Sequence, residues 1–170
     1  MGLDPALQIL GTITGGTMTI AAPATTFDTV NAYLSWDHDR LDALLQSAAN
    51  RVDHGEWAQA RLAYGEFDRG LARHIRLEEE ILFPLFEART GTAGPTTVMR
   101  EEHRLIRGVL AVIGAAVARA DAPAFRSGVA ALADLLPAHN AKEEQVLYPT
   151  TDRVLPEHER AALAARLQRE

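Results

Sequence analysis

Two segments of the chain, HIRLEEEILFP and HNAKEEQVLYP, each place a histidine four residues before a glutamate: His74 with Glu78, and His139 with Glu143. Residues at i and i+4 project from one helical face about a turn apart, so each segment can offer a nitrogen and an oxygen to one metal centre. The arrangement extends backwards. His38 precedes His74 by 36 residues (74 − 38), and His103 precedes His139 by the same interval (139 − 103). Each half then runs six residues beyond its glutamate to a proline, Pro84 or Pro149.

Equal spacing has a geometric meaning. If each half is an antiparallel helical hairpin, its two histidines lie level only when the turn falls near the midpoint, at residue 56 or 121. Asp53, His54 and Gly55 precede the first midpoint, and Asp121, Ala122 and Pro123 straddle the second. Glu78 and His103 have their own midpoint near residue 90, where Thr90, Gly91, Thr92, Ala93, Gly94 and Pro95 break the helical pattern. All six candidate ligands, His38, His74, Glu78, His103, His139 and Glu143, are therefore expected at one level.

Hydrophobic periodicity supplies the elements that would position them. Val30, Leu34, His38, Leu41, Leu45 and Val52 share a helical stripe, as do Phe67, Leu71, His74, Glu78, Ile81 and Leu85. A third helix over about 95–120 aligns Met99, His103, Ile106, Leu110, Ile113 and Val117. A fourth over about 123–148 aligns Val129, Leu132, Leu136, His139, Glu143 and Val146. Pro84 is expected to end or kink the second helix, and Pro137 to bend the fourth. The reading is all-α: an up-down-up-down four-helix bundle over 26–150, a tail over 1–25 that reads as flexible, and a helical extension over 151–170 containing a short C-terminal helix.

Composition narrows the chemistry. The chain has 170 residues, 47% of them hydrophobic, which suits one soluble domain with a substantial core. With no cysteine, a metal here must use nitrogen and oxygen. A formal charge of −6 without a basic cluster argues against nucleic acid, and no apolar run approaches the ~20 residues of a membrane span. The first residues lack the basic start of a secretory signal, so the cytoplasm is the default location. Oligomeric state is open.

A single histidine on an apolar stripe is more often a hydrogen-bonded core residue than a ligand, but four at one computed height form a set. A buried carboxylate without a partner is costly, so Glu78 and Glu143 need a cation or, in the alternative, arginines such as Arg73 or Arg107. Glu79, Glu80 and Glu144 read as an outward, solvated charge run, with Glu144 a substitute for Glu143 if Pro137 shifts the local phase. His54 and His158 fall in turn or surface segments. Imidazole and carboxylate donors in a bundle core suit iron, manganese or zinc, and two bridging carboxylates favour a dinuclear pair, with iron the first choice. Hairpin geometry puts His38 with His74 on one ion and His103 with His139 on the other, with Glu78 and Glu143 bridging. An added oxo or hydroxo bridge would leave open positions on both irons.

At these six residues the chain resembles the hemerythrin family, specifically its HHE cation-binding domains, over roughly residues 26–150. The resemblance implies a diiron centre that meets dioxygen, nitric oxide or peroxide. Oxygen-carrying members have a fifth histidine where this chain has Arg107, and HxxxxD where it has HxxxE. The four-histidine, two-glutamate pattern looks more like members linked to iron-centre repair or to peroxide and nitric oxide handling, although such repair proteins often carry a cysteine-bearing additional domain. The expected function is thus binding, sensing or reaction of a small diatomic or peroxide ligand at a diiron centre. The alternatives are a diiron enzyme (peroxide-consuming, iron-oxidising or iron-centre repair) and a metal-free structural or interaction bundle. Asp42 lies one turn past His38 as Arg107 lies past His103, so an Asp42–Arg107 ion pair across the core is a further expectation.

Overall fold

Thr29 is extended and its side chain accepts a hydrogen bond from the Ala32 amide, so the first helix, α1 (Val30–Asp53), starts there rather than at Thr26. Asp152 adds a second cap from the far end of the chain, its carboxylate accepting from the Val30 and Asn31 amides at 2.9 and 3.0 Å. The computed structural model describes residues 26–170; the tail expected over 1–25 lies outside the described residues.

Helix α2 (Trp57–Leu77) passes through a π-helical segment, Glu78–Leu82, into α3 (Phe83–Thr90). Helix α4 (Gly94–Arg119) follows, then α5 (Ala122–Lys142), which passes through a second π segment, Glu143–Leu147, into α6 (Tyr148–Val154). A last helix, α7 (Glu157–Arg169), packs against α1. The chain reverses where expected: at Gly55 and Gly91, both with positive φ, and at Ala120, an alanine held at φ 56° just before the Asp121 cap of α5. Packing of α1 on α2 and of α4 on α5, closed by contacts of α2 with α4 and of α1 with α5, makes the all-α up-down-up-down bundle. None of its described helices is long and apolar enough to cross a membrane.

Pro84 does not act as a helix end, since the helix continues to Thr90. A proline clashes with the carbonyl four residues back in a regular α-helix. Here the preceding turn is widened, with the Phe83 amide bonding the Glu78 carbonyl five residues back, and the ring is accommodated. Pro149 sits after the matching bond from the Tyr148 amide to the Glu143 carbonyl. Pro137 lies inside α5, which runs continuously through it.

The core is in two parts. One apolar cluster includes Leu41, Phe67, Leu71, Ile75, Ile106, Ile113 and Leu132, and the other Leu34, Leu77, Leu82, Phe83, Met99, Leu147 and Tyr148. His38 falls in sequence between Leu34 and Leu41, and His103 between Met99 and Ile106. The buried histidines and glutamates thus form a polar layer between two dry halves.

Helices α4 and α5 approach closely at Gly128, where an added Cβ would lie 2.5 Å from Cγ1 of the fully buried Ile113. Gly128→Ala is expected to destabilise the bundle by about 1–3 kcal/mol through overpacking. Gly108→Ala, on the open face of α4 where nothing lies within 4 Å, should instead stabilise it by as much as about 1 kcal/mol. Denaturant midpoints of the two variants check both signs.

Candidate metal centre

All six expected residues are buried, four of them on the continuous helices α1, α2, α4 and α5 and the two glutamates at the first residue of each π segment. Ligand atoms ~2.1 Å from one metal and at right angles to each other are about 3 Å apart. The observed separations are of this size. His38 Nε2 lies 3.1 Å from His74 Nε2 and 3.4 Å from Glu143 Oε2. His103 Nε2 lies 3.3 Å from Glu78 Oε2, and His139 Nε2 lies 3.0 Å from Glu143 Oε1. Two groups result, each with ligand atoms within 4.8 Å of one another: His38, His74 and Glu143, and Glu78, His103, His139 and Glu143. Glu143 belongs to both. Glu78 Oε2 stands 3.7 Å from His74 Nε2, so it too lies between the histidine pairs.

The donor atoms are aimed at the centre by a ring of acids. His38 Nδ1 is 2.7 Å from Glu144 Oε1, and His74 Nδ1 is 2.9 Å from Asp37 Oδ2. His103 Nδ1 is 2.9 Å from Glu79 Oε1, and His139 Nδ1 is 2.9 Å from Glu102 Oε2. A carboxylate at Nδ1 keeps the proton there, which leaves every Nε2 lone pair directed inward and raises its basicity. Three of these acids are anchored by a cation: Asp37 by Arg40, Glu79 by Arg107 and Glu102 by Lys142.

This ring corrects the expectation for Glu79 and Glu144. Both reach sideways to a neighbouring helix because the wider π turn lets consecutive glutamates serve the same layer. Glu80 does remain exposed, with Arg76 for company at 3.8 Å. Glu143 sits in the cluster itself, and the phase shift comes after Glu143 rather than at Pro137, so Glu144 does not replace it. Arg107 does not pair with Asp42; it grips Glu79 through two bonds of 3.0 and 2.8 Å and so braces His103. Asp37, Glu102 and Tyr148 went unnoticed in the sequence. A signal was there: each half has an acid just before its first histidine and another just after its ligand glutamate, as in Asp37-His38 with Glu78-Glu79, and Glu102-His103 with Glu143-Glu144.

The arginine alternative for the glutamates does not occur. Arg73 donates to the Tyr33 hydroxyl and the Leu167 carbonyl, and Arg107 is held by Glu79. Glu78 Oε2, both carboxylate oxygens of Glu143 and His103 Nε2 are buried without a hydrogen-bond partner. Such atoms cost several kcal/mol unless a cation meets them. The donor set, imidazole nitrogen and carboxylate oxygen converging in a buried layer, fits a metal site.

Electrostatics agree with a cation sink. Burial opposes charge on His38, but Glu143 and Glu144 outweigh it and raise its pKa to about 9. Burial likewise opposes charge on His103, and Glu143 with Glu78 raises it to about 10. Burial would raise Glu143, yet the surrounding histidines hold it well below the usual carboxylate range. A metal must displace the imidazole protons. Metal uptake at pH 7 should therefore release protons from His38 and His103, with apparent affinity rising with pH until about 9 to 10. Titrating metal into a weakly buffered solution with a pH indicator measures this. Glu102→Gln and Glu79→Gln should each weaken metal binding by about 10–100-fold in competition with a chelator, while the fold is retained.

A family model described as Hemerythrin HHE cation binding domain matches residues 29–151. No curated protein and no solved structure matches the chain. The matched span contains all six clustered residues and the four acids behind them. The chain belongs to the hemerythrin family, as an HHE cation-binding domain whose buried histidine and glutamate groups fit a metal site.

Proposed function

We propose that the protein holds two iron ions between its histidine pairs and there binds, senses or reacts with dioxygen, nitric oxide or peroxide. The observation that carries this reading is the set of buried, unpartnered atoms on Glu78, His103 and Glu143, which face one another across a layer with four inward Nε2 atoms. Four imidazoles and two shared carboxylates leave each iron short of six ligands, so an exogenous group can enter. Iron would supply the affinity for such a group and, in an enzyme, the electrons.

The surroundings decide what size of molecule fits. A narrow cavity of about 10 Å³ adjoins His38, His74 and His139, walled by Leu41, Phe67, Leu71, Ile75, Ile106 and Leu136. This is room for a single water-sized molecule. Asp42 and Asn140 also line it, Asp42 as an exposed residue. So small a cavity favours a diatomic or peroxide over a bulky organic substrate. Manganese or zinc would fit the same donors.

Anaerobically purified protein reconstituted with ferrous iron is expected to carry two irons per chain and to change its optical spectrum on exposure to air or nitric oxide. His74→Ala and His139→Ala should each fall to one iron or fewer. Leu71→Phe, which fills the cavity, should keep its iron and slow nitric oxide binding by about tenfold, the effect of ~1.4 kcal/mol on a barrier. Oxygen release on adding hydrogen peroxide would assign turnover rather than binding. Fewer than one metal per reconstituted chain would sink the reading.

A further inference from the structure

The two halves of the centre are related residue by residue: His38 corresponds to His103, His74 to His139, and Glu78 to Glu143. Five residues past each glutamate the symmetry breaks, because Glu78 is followed by Phe83 and Glu143 by Tyr148. Phe83 stacks on His103 at 5.7 Å between ring centroids, with the planes 12° apart. Tyr148 takes the matching place beside the other pair, 6.1 Å from the His38 ring. It is fully buried. Its hydroxyl donates to Glu78 Oε1 at 2.6 Å, and its Oη lies 3.4 Å from His74 Nε2, a separation within the range that the ligand atoms keep among themselves.

The histidine and carboxylate groups are unequal in the same sense. The group around His103 and His139 has four members, whereas the group around His38 and His74 has three. The smaller group does not include Glu78, whose Oε2 stands 3.7 Å from His74 Nε2, and Tyr148 Oη lies nearer to that histidine, at 3.4 Å. Resting on the two-iron reading above, we propose that Tyr148 is a phenolate ligand of the iron held by His38 and His74, which makes the two irons chemically distinct. Its O–H bond breaks, an oxygen–iron bond forms, and one proton leaves to solvent with no change of oxidation state. A nearby metal ion favours such a loss by inverting the local preference for the neutral form. The iron beside Phe83 has no such oxygen.

A phenolate on ferric iron has an optical signature that histidine and carboxylate ligands lack. The test uses the full chain loaded with two ferric ions, confirmed by metal analysis. Resonance Raman spectra are excited in the visible phenolate-to-iron band, with and without ring-deuterated tyrosine. Tyrosine ring modes that shift on deuteration are expected, and they can come only from Tyr148. The other two tyrosines are engaged elsewhere, Tyr33 with Arg73 and Tyr64 with the Leu110 carbonyl. Tyr148→Phe should lose the band and the ring modes while still binding two irons per chain. Two-iron wild-type protein without tyrosine modes would overturn the assignment and leave the two-iron reading standing. Should Tyr148→Phe fail to fold, the isotope shift in the wild type still decides. A chain that takes up no iron would overturn both, and metal analysis distinguishes that case.

Discussion

Glu78 and Glu143 place two carboxylates at the centre of a hydrophobic bundle, and the rest of the structure is arranged around that cost. Both are fully buried, and no arginine or lysine among the described residues reaches them. An uncompensated charge in such a place would destabilise a domain of this size by several kcal/mol, a large part of its total stability. Four imidazoles at 3.0 to 3.7 Å therefore surround them, one from each long helix. The apolar core is divided in two by this layer, and each half is dry. Protein and metal are thus mutually dependent: the bundle concentrates donors, and a cation relieves the charge that the bundle has concentrated.

Around that layer runs a second one. Asp37, Glu79, Glu102 and Glu144 fix the imidazole protons, and Arg40, Arg107 and Lys142 brace three of those acids at the surface. Charge therefore alternates outward from the centre, and apart from the buried Asp37 each sign is nearer to water than the one before. Arg107 has a role in this scheme without touching the centre, since it holds Glu79 against His103. The π segments make the scheme possible. An extra residue per turn at Glu78 and again at Glu143 lets two successive glutamates act in one layer, one inward and one sideways, and it also accommodates the prolines that follow.

Much of the fold and of the inner site was legible because both follow from periodicity. A repeat of 36 residues with turn signals at its midpoints can bring His38, His74, His103 and His139 level in only one kind of hairpin. Gly55, Gly91 and Ala120 mark those turns with left-handed backbones. What escaped the reading were contacts between helices and departures from α geometry. Treating the helices as regular turned Glu79 and Glu144 outward and left the widened turns before Pro84 and Pro149 unforeseen. The Asp42–Arg107 pair assumed that α1 and α4 meet across the core, whereas α1 packs on α2 and α5 and Arg107 turns to Glu79.

The sequence by itself determined which residue types can meet a metal, that thiolates are absent, and that six donors share a level, because these depend on identity and on spacing along a helix. Only the tertiary structure decided that Glu143 lies between both histidine pairs, which acid stands behind which histidine, and that Tyr148 and Phe83 occupy corresponding places. Those relations are set by side chains from different helices meeting across the core. Spacing along one chain specifies height in a bundle, but the partner across it depends on helix rotation and on a turn widened by a single residue.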